Sequence, residues 1–148
     1  EVLLYRAIDA IGVSIGHIGS VSSFYETAPW GFESPHPFPN AALSLTTQLT
    51  PEQVLDQTQQ IERQLGRKQK SSLGNYQDRP IDIDLLLYDS LVLDTDRLTL
   101  PHPLLHRRAF VLDPLVEIAP HLYHPLLGKT IRELQLELYA IDTPQPSL

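Results

Sequence analysis

Residues 78–89, DRPIDIDLLLYD, combine strand-forming aliphatic side chains with two closely spaced carboxylates. Successive side chains of a strand point to opposite faces, so the aliphatic residues from Ile81 onward are expected to face the core, and Asp82 and Asp84 to face away from it. Two carboxylates this close repel each other and resist burial unless a positive charge lies between them. The segment therefore predicts a core strand over residues 81–88 whose polar face holds a cation.

Two kinds of cation fit the pair formed by Asp82 and Asp84. Arg79, in the same segment, could form an ion pair with them, which would be a structural role. Divalent ions such as Mg²⁺ prefer carboxylate oxygens and keep positions open for substrate phosphates, and two such ions could clamp a polyphosphate. The residue pattern alone leaves both alternatives open.

The composition limits the classes of function. A chain of 148 residues suits one globular domain, which we expect to span residues 1–148. The net charge of −7 argues against nucleic-acid binding, and no apolar run is long enough for a membrane span. The absence of cysteine excludes disulfides and fits a cytoplasmic protein. Helical periodicity begins at the first residues without Met or a capping residue, so we expect an upstream segment to be missing.

Basic residues concentrate next to the two aspartates. Five of the 11 lysine and arginine residues lie within residues 63–79. A solvated surface loop would explain this cluster, but so would a polyanionic ligand such as a nucleotide. The chain has no glycine-rich phosphate loop of either common type, so a nucleotide would be held through metal ions and through arginines such as Arg67 and Arg79.

Periodicity and capping signals predict the remaining elements. Thr50 with Gln53, and Thr130 with Glu133, have the spacing of a capping box at the start of a helix. The predicted elements are a helix over 2–11 ended by Gly12, strands over 18–27 and 41–49, a helix over 51–65 ended by Gly66, a loop over 67–79, a strand over 81–88, a hairpin over 91–100, helical segments over 104–112 and 114–119 separated by Pro114, a helix from 131, and a frayed tail over 142–148.

This order of elements predicts an α+β fold. With one more strand upstream, the core would be β-α-β-β-α-β, a ferredoxin-like sandwich in which helices pack on one face of an antiparallel-rich sheet. The helical segments after residue 100 would then form a C-terminal helical appendix.

Histidine and aromatic side chains provide further candidates. His102, held between two prolines, suits either a phosphate contact or a packed turn. His102 with His106, and His121 with His124, would suggest zinc, but prolines interrupt both regions and no third ligand clusters with them. Phe38 lies between prolines, which suits a ring presented to a flat ligand rather than a core residue.

Several segments together make the sequence resemble the 6-hydroxymethyl-7,8-dihydropterin pyrophosphokinase family, whose members move the terminal pyrophosphoryl group of ATP onto a pterin hydroxymethyl group. The similarity runs over about residues 18–125. The segments that carry it are SSFYET at 22–27, NAA at 40–42, IE at 61–62 with GR at 66–67, Arg79 with IDIDLLLY at 81–88, LTLPHP at 98–103, and RAFVL at 108–112.

The resemblance implies roles for particular residues. The implied catalytic residues are Arg67, Arg79, Asp82 and Asp84, and the two aspartates would also ligate two Mg²⁺ ions. The implied pterin-binding residues are Thr27, Ala28, Trp30, Phe38, Asn40 and Phe110, with the pterin stacked between the two phenylalanines. The implied ATP-binding residues are Gln59, Glu62, Tyr76, Leu85, Arg97, Thr99, His102 and Arg108. Tyr76 stands where the family usually has Trp. The resemblance also implies ATP as co-substrate and a cytoplasmic monomer acting on small molecules, with neither nucleic acid nor membrane as a partner.

Two other classes of function fit the same pattern. A palm-type nucleotidyltransferase also places two metal-binding aspartates on a ferredoxin-like sheet, but it releases pyrophosphate from ATP, whereas a pyrophosphokinase releases AMP. A non-catalytic ligand-binding module of the same fold would show no dependence on Mg²⁺.

Overall fold

The computed structural model describes residues 2–26, 39–73 and 81–142, with side chains described up to residue 66 in the second range and up to 141 in the third. The chain divides into two compact units. Unit 1 comprises Glu1–Gly19 and Leu45–Leu85, and unit 2 comprises Ser20–Ser44 and Leu86–Leu148. No helix in the described part of the chain is long and apolar enough to cross a membrane.

Unit 1 contains the helices α1 (Val2–Ser14) and α2 (Pro51–Leu73), which pack against each other. The buried faces include Ala7 and Ile11 of α1 and Val54, Ile61 and Leu65 of α2. This spacing is the helical period predicted from the sequence.

The first helix does not end at Gly12 as predicted but continues to Ser14. The glycine that the fold requires is Gly16, where a Cβ would lie 2.1 Å from the backbone oxygen of Thr46. A larger residue at position 16 would push the two backbone segments apart. Gly12 is therefore a helical residue, and the close approach comes four positions later.

The predicted start of α2 is confirmed, but its predicted end is wrong. The backbone N–H of Thr50 donates to Gln53 Oε1 at 2.9 Å, and the N–H of Gln53 donates to Thr50 Oγ1 at 3.2 Å, which is the predicted capping box. Gly66 does not end the helix, which continues to Leu73. The residues that follow Gly66 are mostly Arg, Lys and Gln, which favour helices, so the predicted loop is helical up to residue 73.

Six short strands form three two-stranded sheets in the described ranges. Their bounds are β1 (His17–Val21), β2 (Tyr25–Glu26), β3 (Pro39–Asn40), β4 (Leu43–Thr46), β5 (Leu93–Asp94) and β6 (Thr99–Leu100). β1 pairs with β4, β2 pairs antiparallel with β3, and β5 pairs antiparallel with β6. The predicted hairpin over 91–100 is confirmed, whereas the strand predicted over 18–27 is split in two.

The strand predicted over residues 81–88 is wrong, since that segment joins no ladder with the described strands. Its backbone groups find other partners. The N–H of Ile83 donates to Glu62 Oε2 at 2.6 Å, and the oxygen of Leu86 accepts from the N–H of His102 at 2.9 Å. The composition favoured a strand, but a strand also needs a neighbour, which local composition does not supply.

Unit 2 is built on the helices α3 (Ala109–Ile118) and α4 (Ile131–Asp142), preceded by a 3₁₀ turn over Leu105–Arg107. Its core consists of apolar side chains that include Ala42, Leu105, Leu112, Leu115, Ile131 and Leu134. Pro114 lies inside α3 and does not separate two helical segments as predicted. Proline cannot donate a backbone hydrogen bond within the helix, and burial of the apolar Pro114 side chain in the core offsets part of this loss.

The predicted capping box of α4 is confirmed. The N–H of Thr130 donates to Glu133 Oε1 at 2.8 Å, and the N–H of Glu133 donates to Thr130 Oγ1 at 3.1 Å. The tail predicted from residue 142 lies, apart from Asp142 itself, outside the described residues.

Candidate functional site

The aspartate pair lies on a segment of unit 1 that a glutamate of α2 holds in place. Exposure alternates as predicted: Ile81 is buried, Ile83 is half-buried, and Asp82 and Asp84 are exposed. The carboxylate of Glu62 accepts the N–H of Ile83, the residue between the two aspartates, at 2.6 Å. A side chain of α2 thus takes the place of a neighbouring strand, and both aspartate side chains lie at the surface.

The metal-binding side chains of this segment suit an open Mg²⁺ site better than a site formed entirely by protein ligands. Asp82 and Asp84 offer hard carboxylate oxygens, which Mg²⁺ prefers. Within the described ranges, no group of three or more His, Cys, Asp or Glu side chains is arranged to hold a metal ion. Such a cage is not required, because Mg²⁺ is commonly held by one or two carboxylates together with substrate phosphates.

His102 of unit 2 is fixed at both its backbone and its ring. Its N–H donates to the oxygen of Leu86 at 2.9 Å, and its Nδ1 accepts the N–H of Leu104 at 3.1 Å. Since Nδ1 is the acceptor, Nε2 carries the proton of the neutral imidazole and can donate to an oxygen of a ligand.

The other ATP-site candidates are distributed over both units. In unit 1, Gln59 of α2 is exposed and Leu85 is half-buried. In unit 2, Arg97 is exposed before β6, and Thr99 Oγ1 of β6 lies 3.4 Å from Asp94 Oδ1.

Asn40 of β3 carries a buried polar atom without a partner. Its side-chain Nδ2 is inaccessible to solvent and has no hydrogen-bond acceptor in the described part of the chain. Leaving such a donor unsatisfied costs about 1–3 kcal/mol. A ligand that presents an acceptor to Nδ2 would recover this free energy.

Phe110 lies in the first turn of α3 beside Arg108, the residue that precedes the helix. The guanidinium carbon of Arg108 is 5.5 Å from the centroid of the half-buried Phe110 ring, a cation–π contact. Arg108 therefore occupies one face of the Phe110 ring.

Glu117 of α3 is a functional candidate that the sequence analysis missed. Its Oε1 and Oε2 accept the backbone N–H of Ser23 at 3.0 and 3.1 Å, and they also accept the hydroxyls of Tyr25 at 2.8 Å and Ser23 at 3.1 Å. The hydrogen bonds from Tyr25 and Ser23 hold the pKa of Glu117 below its usual value, and the same contact with Glu117 raises the pKa of Tyr25. The only local signal is that Glu117 is one of two acids in an otherwise apolar helix, because its partners lie more than 90 residues earlier.

The structure pairs the histidines differently from the two pairs considered for zinc. His106 and His124 meet edge to face, with ring centroids 6.3 Å apart. His124 is buried, and its Nδ1 accepts the N–H groups of Leu126 and Leu127 at 3.2 and 3.1 Å. Burial lowers the pKa of both rings, so both favour the neutral form.

Several candidates lie outside the described residues, namely Thr27, Ala28, Trp30, Phe38, Tyr76 and Arg79. Arg67 belongs to α2 by its backbone, while its side chain is not described. In the described part of the chain, a hydrogen bond and a cation–π contact connect residues of the predicted site. Within unit 1, Glu62 holds the backbone between Asp82 and Asp84, and within unit 2, Arg108 covers Phe110.

A cleft of about 360 Å³ in unit 1 lies between α1 and α2. Its lining includes Asp9, Val13, Gln57 and Gln64. None of its lining residues belongs to the predicted site, so the cleft does not identify the position of a substrate.

Comparison with known proteins gives a consistent result. The model of the 7,8-dihydro-6-hydroxymethylpterin-pyrophosphokinase family matches residues 1–120. A 2-amino-4-hydroxy-6-hydroxymethyldihydropteridine pyrophosphokinase of Porphyromonas gingivalis is 50% identical over 124 residues, which cover 83% of this chain and 84% of that protein. Proteins of the same name are 39% identical in Aquifex aeolicus, with 81% and 73% covered, and 38% identical in Haemophilus influenzae, with 82% and 75% covered. The chain belongs to the 7,8-dihydro-6-hydroxymethylpterin-pyrophosphokinase family.

Proposed function

We propose that this protein transfers the pyrophosphoryl group of ATP to the hydroxymethyl group of 6-hydroxymethyl-7,8-dihydropterin, giving AMP and the pterin diphosphate, a step of folate biosynthesis. Membership of the family and the names of relatives that are 38–50% identical support this reaction. The structural observation that carries it is the exposed pair of Asp82 and Asp84, held from α2 by Glu62.

We propose further that Asp82 and Asp84 hold two Mg²⁺ ions together with the phosphates of ATP. The exposure and oxygen chemistry of both side chains support this assignment. When bound, the ions would neutralise phosphate charge and orient the polyphosphate for in-line displacement. Glu62 supports the pair indirectly, because it fixes the backbone between the two aspartates.

The proposed transfer is a displacement at the β-phosphorus of ATP. The hydroxymethyl oxygen of the pterin forms a bond to this phosphorus, and the bond to the oxygen that bridges the α- and β-phosphates breaks. AMP leaves with the electron pair, and the hydroxyl proton passes to solvent. Arg67 and Arg79 are proposed to neutralise the charge that develops on the transferring group, and the Nε2–H of His102 to donate to a phosphate oxygen.

The remaining assignments concern the two substrates. The unsatisfied Nδ2 of Asn40 supports a contact with an acceptor on the pterin edge, and the half-buried aromatic ring of Phe110 supports stacking. The proposed pterin site is completed by Thr27, Ala28, Trp30 and Phe38. The proposed ATP site contains Gln59, Glu62, Tyr76, Leu85, Arg97, Thr99, His102 and Arg108.

The proposal extends to the whole protein. The order α1, β1, β4, α2 supports a ferredoxin-like sandwich within the α+β class, and we propose that residues 1–148 form one pyrophosphokinase domain. All groups named above lie on one chain, so a monomer is the proposed active form. Since the co-substrate is ATP, we propose that the reaction takes place in the cytoplasm.

The test is the identity of the small product formed from ATP. The full-length protein is incubated with ATP, Mg²⁺ and 6-hydroxymethyl-7,8-dihydropterin, and the nucleotides are separated by chromatography. We expect AMP in equal amount to the pterin diphosphate, and none when the pterin is omitted. Release of pyrophosphate would instead indicate nucleotidyl transfer, and binding without any consumption of ATP would indicate a ligand-binding module.

A further inference from the structure

The contact between Glu117 and the stretch Ser23–Tyr25 is unusually complete for a surface side chain. Glu117 is exposed, yet its two carboxylate oxygens accept one backbone N–H and two hydroxyl groups. An exposed glutamate loses conformational freedom when it is fixed in this way. We therefore infer that this contact has a role beyond placing a charge at the surface.

The stretch that Glu117 holds is also tied to the strand that carries Asn40. The N–H of Ser22 donates to the oxygen of Ala42 at 2.8 Å, and the N–H of Ala42 donates to Ser22 Oγ at 2.9 Å. In the adjoining ladder of β2 and β3, Tyr25 lies opposite Asn40. Residues 22–25 are thus fixed on one side to β3 and on the other side to α3.

This arrangement connects two groups of the proposed pterin site. Glu117 and Phe110 both belong to α3, which also packs against β3. Ala42 is buried in the same core as Leu112 of α3. The hydrogen bonds from Ser23 and Tyr25 to Glu117 form a clamp between this stretch and α3. With this clamp in place, the donor on Asn40 and the ring of Phe110 keep a fixed separation. Among the described residues, the packing of Ala42 in the core with Leu112 of α3 is not directional, so it fixes this separation less well than the hydrogen bonds of Glu117 do.

We propose that Glu117 is a positioning residue for the pterin. By clamping Ser23 and Tyr25 to α3, Glu117 fixes the position of Asn40 relative to Phe110. The inference rests on the proposed function and adds a residue that touches neither substrate. The chemistry is consistent, because a flat ligand recognised at its edge and its face needs both groups at a fixed distance.

The test compares Glu117→Ala and Glu117→Gln with the wild type in steady-state kinetics. We expect Glu117→Ala to raise the KM for the pterin about 10-fold, since hydrogen bonds to a charged group are lost. The KM for ATP should stay unchanged. Glu117→Gln keeps an acceptor oxygen for the N–H of Ser23 and should give a smaller rise. Tyr25→Phe, which removes one of the donors, should also give a small rise.

The matched control is Glu137→Gln, which removes the charge of another exposed glutamate of unit 2, one paired with Lys129 at 2.6 Å. It should change neither KM. Equal rises in both KM values together with a lower melting temperature would show a merely structural role and overturn the inference. Should Glu117→Ala fail to fold, Glu117→Gln and Tyr25→Phe carry the test.

The failure of this inference and the failure of the proposed function can be told apart. A wild-type protein that forms AMP, with Glu117→Gln and Tyr25→Phe variants that keep the wild-type KM for the pterin, overturns the positioning role alone. A wild-type protein that forms no AMP overturns the proposed function, and the positioning role with it.

Discussion

Two short segments of this protein are held by a glutamate from a helix. In unit 1, Glu62 of α2 accepts the N–H of Ile83 at 2.6 Å. In unit 2, Glu117 of α3 accepts the N–H of Ser23 at 3.0 Å and the hydroxyl of Tyr25 at 2.8 Å. In both cases a carboxylate takes a backbone donor that a longer sheet would have used in a strand ladder.

The segments differ in what they leave for a ligand. Next to Glu62, the side chains of Asp82 and Asp84 are exposed, which suits cations and phosphates. Next to the partners of Glu117, Asn40 keeps a buried donor without a partner, which suits an uncharged, edge-recognised ligand. Our proposal therefore assigns two kinds of recognition to segments held in the same way, one through charge and one through a hydrogen-bond donor.

The largest expected effect comes from removing the charges of the first segment. We expect Asp82→Ala/Asp84→Ala to lower the rate of AMP formation by roughly 1,000-fold or more, because the proposed transfer depends on neutralised phosphates. Rates are measured from AMP released at saturating substrates.

Asp89→Asn is the control for the aspartate variants. It removes an exposed acid from the end of the same segment, and Asn tolerates the positive φ of 51° found at this position. It should keep the wild-type rate. A double variant that still forms AMP at the wild-type rate would remove the aspartates from the catalytic role.

A smaller effect is expected from the buried donor of Asn40, which lies opposite the second segment. Asn40→Leu should raise the KM for the pterin about 10-fold or more, while the free energy of unfolding stays equal or increases, because an unsatisfied polar atom is removed. Gln135→Leu is the contrasting control, since Nε2 of Gln135 donates to Asp113 Oδ1 at 2.9 Å. Loss of this hydrogen bond should lower the free energy of unfolding without changing the KM for the pterin. Urea titrations and pterin kinetics measure both quantities, and a strongly destabilised Asn40→Leu protein would count against an unsatisfied donor.

Variants of Glu62 test whether this glutamate acts by holding the backbone of the first segment. Glu62→Ala leaves the N–H of Ile83 without its acceptor and should lower the free energy of unfolding by about 1–2 kcal/mol and kcat/KM about 10-fold. Glu62→Gln, which keeps an acceptor oxygen, should lose less of both. Gln60→Ala, on an exposed position of the same helix, is the control. A rise in the KM for ATP with unchanged stability would leave Glu62 only its proposed contact with the nucleotide and would remove its role in holding the backbone of Ile83.

The sequence predicted best what is decided locally. Both capping boxes, at Thr50 and at Thr130, are present because each depends on residues three positions apart. The alternation of exposure around Asp82 and Asp84 is also correct, because it follows from an extended backbone whether or not a ladder forms.

What the sequence could not predict depends on distant partners. The strand over residues 81–88 needed a neighbour, and its backbone instead uses Glu62 and His102. The clamp at Glu117 joins residues more than 90 positions apart, so no periodicity indicates it. The predicted end of α2 at Gly66 is wrong because the residues that follow this glycine favour helix.

The smallest effect is a dependence of stability on pH in the unit that holds the second segment. His106 and His124 have lowered pKa values through burial, so below their ordinary value of 6.5 the unfolded chain binds protons that the folded chain does not. The free energy of unfolding should therefore be constant above about pH 6.5 and should decrease as the pH falls below it. Glu117 adds a separate loss at more acidic pH, because its pKa lies below the usual 4.5.

Urea titrations between pH 7.5 and pH 5 measure this dependence. His124→Asn keeps an acceptor for the N–H groups of Leu126 and Leu127 and should flatten the pH profile. His121→Asn, at an exposed position, should leave the profile unchanged. A profile that is equally steep in the His124→Asn protein would show that the buried histidine pair is not its source.

The central claim is that the β- and γ-phosphates of ATP move together to the pterin at the segment that carries Asp82 and Asp84. The most direct measurement follows the label from ATP that carries ³²P at either the α- or the β-phosphate, in the presence of Mg²⁺ and 6-hydroxymethyl-7,8-dihydropterin. We expect the β-label to move to the pterin and the α-label to stay in AMP, and we expect neither label to move in the Asp82→Ala/Asp84→Ala protein. An α-label found on the pterin, or a β-label left on the nucleotide, would contradict it.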